Sequence, residues 1–340
     1  MRNQRLLERS ILRKRRKRNI WIKKHNKWKN NRQTSKYVQH NTSLVKNAVV
    51  VPQDFSMANL EESLRFLNAT YNFTQNMNGR RLFVSLTQVQ KIDMFTICLL
   101  LSLVNKLSRN GIVCWGNYPG NAKVRDYILN SGFLEVLNSN IILEPEKIYT
   151  NQMYMIGKGI VCSKKIGGSV KKAMKQLLGR EIAYPPVYDN LIEICTNSVE
   201  HSNNDAIDKN WLISISKKND CIQFILTDTG LGILKTLHKK RKEFFKDKFF
   251  RKDGQVLNDI FNKKYQSRTG ELNRHKGLPI VLESFNDGFI SNLKVLTNCV
   301  LYNFRTSNFL TLKNEFKGTL IYWTVDKNNY QTWEKSIQVA

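Results

Sequence analysis

The sequence predicts an α/β protein of two modest domains behind a basic N-terminal tail. Three observations predict it. Between residues 80 and 137, strand-like and helix-like segments alternate with short connections, the pattern of an α/β layer. Farther on, the amphipathic run LIEICTNSVEHS, Leu191 to Ser202, precedes a strand-like run, CIQFILTD, that ends in Asp228-Thr229-Gly230-Leu231-Gly232. Finally, 340 residues with a net charge of +28 suit two domains plus a charged extension.

Residues 1–45 read as an unstructured basic tail. The first 36 residues hold fifteen Lys or Arg against one acid, Glu8, and supply about half of the net charge. The run LRKRRKR, Leu12 to Arg18, is followed by Trp21, Trp28 and Tyr37 among lysines. Basic residues neutralise phosphates, while interleaved aromatics stack on bases or sit at a lipid interface. The tail therefore fits nucleic-acid or ribosome contact through residues 1–36, a membrane surface, or plain solvation. No apolar stretch follows the charges, so a secretory signal is not expected.

The first domain spans residues 50–145. RRLFVSL, Arg80 to Leu86, reads as a buried strand, and Met94 to about Ser108 as a helix. IVCWGN, Ile112 to Asn117, is a second strand, followed by a helix from Asn121 that ends at Ser131-Gly132. The longest apolar run, Met94 to Val104, is too short to span a bilayer. Residues 146–184, rich in glycine and closed by Pro185-Pro186, read as a connector holding one basic helix, Ser169 to Leu178. Six scattered cysteines without paired spacing point to buried thiols in a reducing cytoplasm.

The second domain, residues 185–328, carries the chemistry, and residues 329–340 read as a C-terminal tail. Glu193, Asn197 and His201 recur at i, i+4 and i+8, on roughly one helix face. An Asn amide oxygen is a neutral, hard ligand suited to magnesium. A Glu one turn earlier can orient or deprotonate a water. Asp228 at a strand end can accept from an exocyclic amine. Gly230 and Gly232, lacking Cβ, let the backbone approach a planar base.

The two motifs in this order resemble the GHKL ATPases (gyrase, histidine kinases, MutL and the anti-sigma kinases), closest to the last. RHKGLPIVLESF, Arg274 to Phe285, is similar to that family's second glycine motif, which cradles phosphates at a helix N-terminus. Lys276, Gly277 and Leu278 match its centre, while His275 and Pro279 stand where glycines are usual. KGTLIYWTV, Lys317 to Val325, is similar to the terminal Gly-Thr strand, whose Thr319 is implied to face the adenine. The resemblance implies a two-layer α/β sandwich that binds ATP and Mg2+, with Glu193 as catalytic base and Asn197 as the magnesium ligand. Asp228, Gly230, Gly232, Lys276, Gly277, Leu278 and Thr319 then hold the nucleotide. The basic stretch Lys235 to Arg274 takes the place of a mobile ATP lid, and also reads as a solvated helix with Phe244, Phe245, Phe249 and Phe250 packed inward.

Residues 50–145 resemble a STAS domain, the anti-sigma-antagonist fold, in their element order, in Asp93 before the first helix and in the terminal SGF. That family carries Asp-Ser-Ser-Gly at the helix start, with the second Ser as phosphoacceptor. Here the run is Asp93-Met94-Phe95-Thr96, so Phe95 occupies the acceptor position. The usual phosphorylation switch is then missing, and the domain reads as a docking or regulatory module.

Three functions follow as expectations: a slow ATPase acting as a conformational switch, a Ser/Thr protein kinase of anti-sigma type acting in trans, or a nucleotide-binding regulator that no longer hydrolyses. A regulatory protein partner and a homodimer are implied by the family, and the cytoplasm is the expected location.

Overall fold

The computed structural model describes residues 47–77, 79–133, 152–158, 160–200, 210–240, 252–262 and 277–339. The chain divides into two units, Met1–Lys46 and Asn47–Ala340. The expected basic tail lies outside the described residues.

The second unit is mixed α/β, with two parallel sheets and one antiparallel sheet among the described residues. Strands β1 (Ala48–Val50), β3 (Arg81–Ser85) and β5 (Val113–Gly116) form a parallel sheet in the order β1-β3-β5. Two short strands, β2 (Asp54–Phe55) and β4 (Lys91–Ile92), pair beside it. Helices α1 (Leu60–Asn76) and α2 (Met94–Arg109) are its crossovers, and α3 (Ala122–Asn130) follows β5. A five-stranded antiparallel sheet comes next, built from β6 (Gln152–Lys158), β7 (Asn210–Lys218), β8 (Cys221–Asp228), β9 (Ser291–Asn303) and β10 (Asn308–Asp326) in the order β6-β7-β8-β10-β9. Helices α4 (Ser163–Leu178), α5 (Pro185–Glu200), α6 (Ile233–Lys240), α7 (Asp253–Phe261) and α8 (Gly277–Asn286) pack with one face of this sheet, and α9 (Lys327–Val339) closes the chain.

The described residues between Val51 and Phe133 share a core with the antiparallel sheet. Alternation along each strand sends Ile213, Phe224, Ile321 and Trp323 toward the helices that follow β6. The opposite face presents Leu212, Ile225, Leu296 and Leu320, which pack with Leu64 and Leu67 of α1 and with Ile97, Cys98 and Leu101 of α2. Helix α2 thus lies between two sheets, and that placement explains its composition. Leu99, Leu100 and Leu101 are consecutive, so they point around the helix, yet each is at most 2% exposed. A helix that is apolar all round belongs in a protein interior. Asp93 caps it by accepting from Thr96 N at 2.9 Å, while its second oxygen accepts from Met57 N at 2.7 Å.

The structure differs from the sequence reading in three places. The expected connector, residues 146–184, contributes the edge strand β6 and the whole of α4, whose Ile166, Val170, Ala173 and Met174 are core residues. Helix α4 starts at Ser163 rather than Ser169, running through Gly167-Gly168 because its apolar positions keep helical spacing across them. The expected C-terminal tail is helix α9, held by the Tyr184–Trp333 ring contact at 5.3 Å and by buried Tyr330. Helix α1 has no counterpart in the sequence reading. Among the described residues, no helix is long and apolar enough to cross a membrane.

Candidate functional site

Strand β8 delivers Asp228 to the rim of the antiparallel sheet, where the chain turns through Thr229 to Gly232 into α6. Asp228 Oδ1 accepts from Gly230 N at 2.9 Å and from Thr319 N at 3.1 Å. Thr319 is also its cross-strand neighbour on β10. The other oxygen, Oδ2, has Ser198 Oγ of α5 at 3.4 Å, and that hydroxyl also lies 2.9 Å from Ile194 O. Burial pushes the Asp228 carboxyl up to about 6, against the lowering bonds from Gly230, Thr319 and Ser198. Two backbone donors share one oxygen while the other keeps spare acceptor capacity. That asymmetry suits a ligand N–H.

Helix α5 packs against α8 and β8 and carries Glu193 and Asn197, both half-buried. Gly277, the first residue of α8, lies against Asn197, and a Cβ there would run into the Asn197 amide. Glycine therefore lets the N-terminal end of α8, the positive end of its dipole, come up to the amide. Leu278 packs on the core beside it. Among the described residues, Glu193 takes no hydrogen bond, one helical turn before Asn197. Cys195, also on α5, is buried, and burial together with the Asp228 charge raises its thiol well above the ordinary value.

The structure therefore brings Asp228, Gly230 and Thr319 together by direct bonds, and Asn197 and Gly277 by contact. Glu193 shares a helix with Asn197 and, among the described residues, makes no hydrogen bond to the Asp228 turn. Lys276, His201 and most of the expected lid lie outside the described residues. The described residues of that stretch lie mainly in α6 and α7, and α7 buries Val256, Leu257 and Phe261 in the core.

A second group of residues, which the sequence reading missed, holds the turn in place. Thr297 Oγ1 on β9 accepts from Ile233 N at 2.9 Å. Asn298 Nδ2 donates to Leu231 O at 2.8 Å and to Glu315 Oε1 at 3.1 Å, while its Oδ1 accepts from Lys235 N at 3.3 Å. Lys235 Nζ reaches the other Glu315 oxygen at 2.7 Å. Burial alone would raise the Glu315 carboxyl, but the bonds from Lys235 and Asn298 hold it below its ordinary value. Gly232 takes φ +82°, and a Cβ on it would meet Asn298 Oδ1 at 2.6 Å. A side chain is thus excluded there both by backbone conformation and by space.

The same clamp reaches the first half of the chain. Strand β10 loses register between Thr311 and Thr319, and α1 holds this irregular stretch. Glu61 accepts from Lys313 N at 2.7 Å and from Asn314 N at 3.2 Å, and Asn68 donates to Glu315 O at 2.8 Å. From α1 to Asp228 the polar contacts are continuous through β10.

At the other candidate switch position, Phe95 is 4% exposed and Thr96 fully buried, its hydroxyl donating to Phe55 O at 2.7 Å. A side chain so placed is out of reach of a phosphate donor.

No protein-family model matches the chain, and no curated protein is significantly similar to it.

Proposed function

We propose that the chain binds ATP with magnesium at the Asp228–Asn197 site, in the manner of a GHKL ATPase. Slow hydrolysis then changes a state read by the STAS-like first half or by a protein partner. The observation that carries this reading is Asp228. It is a half-buried carboxylate with one oxygen tied to backbone N–H groups and the other still able to accept. An exocyclic amine is the donor that such an oxygen selects. The residues fit the implied cofactor: Asn197 offers a hard amide oxygen, and the missing Cβ of Gly277 lets that amide lie against the N-terminal end of α8, the end of a helix that favours an anion.

When bound, magnesium neutralises phosphate charge and polarises the γ-phosphorus. Asn197 would hold the ion, and Gly277 and Leu278, with Lys276, would line the phosphates. Gly230 and Gly232 would set the turn beside the base. Glu193 takes a proton from the attacking water, whose oxygen bonds to the γ-phosphorus as the bond to ADP breaks. The contacts from Asp228 through Glu315 to α1 supply a route by which the turn and the first half influence one another. Burial of Phe95 and Thr96 argues against phosphorylation of the chain on its own α2.

The fate of labelled γ-phosphate tests this reading. The wild-type chain is expected to release free phosphate, and Glu193→Ala to keep ATP binding while losing at least about 100-fold in turnover. Label on an added protein would favour the kinase reading. Normal turnover by Glu193→Ala would remove the assigned base.

A further inference from the structure

Helix α4 carries a cationic face that the nucleotide reading leaves unused. Its apolar residues Ile166, Val170, Ala173, Met174 and Leu177 are buried against the antiparallel sheet, so the lysines are sorted outward. Lys164, Lys165, Lys171 and Lys175 are exposed and Lys172 is half-exposed. The stripe from Lys164 to Lys175 runs about 16 Å at the helical rise. At its C-terminal end, Lys217 Nζ donates to Gln176 O at 2.9 Å, which extends the cationic surface onto β7 with exposed Lys218. Among the described residues, only Lys175 of this set pairs with a carboxylate, Glu181 at 3.3 Å. Like charges three and four positions apart, as in Lys171, Lys172 and Lys175, work against a helix.

Gly168 sits in the middle of this stripe, on the same side as Lys164, Lys171 and Lys175. Nothing lies within 4 Å of where its Cβ would be. Packing does not require the glycine, and a glycine inside a helix is unfavourable. A bare helix surface flanked by lysines fits something that approaches the backbone closely while carrying repeated negative charge.

We propose that this face of α4 is a docking surface for the phosphate backbone of nucleic acid, independent of the nucleotide site. Lysines are point charges that neutralise phosphates without reading bases, so the contact is sequence-independent. A lipid surface fits less well, because the apolar side of α4 is already spent in the core and is not free to enter a bilayer. The fifteen basic residues of positions 1–36 suit the same class of partner.

The test uses the full chain and two fluorescent probes, a 20-nucleotide single-stranded RNA and a 20-base-pair DNA duplex, in anisotropy titrations at several salt concentrations. Replacing Lys164, Lys165, Lys171 and Lys172 together by Gln is expected to weaken binding at least tenfold at low salt. The slope of log affinity against log salt should become shallower by about 3, since each phosphate neutralised contributes roughly 0.7–0.9. The tail is present in both proteins, so the difference belongs to α4. Gly168→Gln should raise the melting temperature, through better helix propensity, while weakening binding several-fold. An unchanged salt slope in the four-lysine variant would overturn the proposal. So would loss of binding to phosphatidylserine vesicles alone with the nucleic-acid slope intact.

Discussion

The backbone N–H of Thr319 donates to Asp228 Oδ1 at 3.1 Å across the β8–β10 pair. This bond ties the carboxylate to the strand that α1 grips from the other side of the sheet. Asp228 is thereby held at the rim in one orientation, with its second oxygen toward the Ser198 hydroxyl.

Asp228 is the first place to look for a pH effect. Its folded value, about 6, lies above the ordinary 3.8, so the folded state holds the proton more tightly than the unfolded chain. Stability from this group is fully present below about pH 4 and is lost as pH rises through about 6. Asn at this position keeps an acceptor for Gly230 and Thr319 without the buried charge. Asp228→Asn should therefore be more stable than wild type at pH 7.5, by roughly 2 kcal/mol or less after solvent screening. The gain should vanish near pH 4, which melting curves across pH would read.

ATP affinity is expected to run the other way. An amine donor needs the ionised carboxylate, so binding should weaken by about tenfold per pH unit below about 6. Affinity constant between pH 5 and 7 would exclude Asp228 as the acceptor.

Gly232→Ala tests the clamp. The new Cβ meets the Asn298 amide at a backbone φ of +82°, which should cost about 1–3 kcal/mol. Chemical denaturation gives the number. A neutral outcome would mean that the Leu231–Asn298–Glu315 contacts do not hold the turn.

Glu61 and Glu315 test the link between the halves. Glu61→Ala leaves Lys313 N and Asn314 N without their carboxylate, at a cost of about 1–2 kcal/mol. Burial pulls the Glu61 carboxyl upward, yet these bonds leave it below its ordinary value. Its contribution is therefore present at neutral pH and fades below about pH 4. In a double-mutant cycle with Glu315→Gln, the two changes should couple by at least about 0.5 kcal/mol. Strict additivity would show that the irregular stretch of β10 does not connect them.

Removal of α9 after Asp326 should unmask Tyr184, which now packs against Tyr330 and Trp333. Loss of those ring contacts should lower stability by about 3 kcal/mol or more. A melting temperature unchanged by truncation would show that α9 is dispensable.

Much of this architecture was legible because its signals are local. Asp228-Thr229-Gly230-Leu231-Gly232 marks a strand end and a turn by residue type alone, and the runs around Phe83 and Phe224 read as strands from their apolar content. The site's supporting residues are another matter. Asn298 and Glu315 lie 67 and 84 residues beyond Leu231, and nothing local marks either as its partner. Helix α1, LEESLRFLNATYNFTQN, mixes Thr, Tyr, Phe and Asn with its leucines, so its propensity is ambiguous and its sheet contacts decide it. Gly167-Gly168 suggested a break that burial of Ile166 and Val170 overrides. In α9, Tyr330 and Trp333 are spaced for one helix face, but their partner Tyr184 is remote in sequence.

The most direct test of the central claim is calorimetric titration of magnesium–ATP into the wild-type chain and into Asp228→Asn at pH 7.5. One ATP should bind per wild-type chain and none to Asp228→Asn, with the variant melting cooperatively at or above the wild-type temperature. Equal binding by both proteins, or no binding by the wild type, would contradict it.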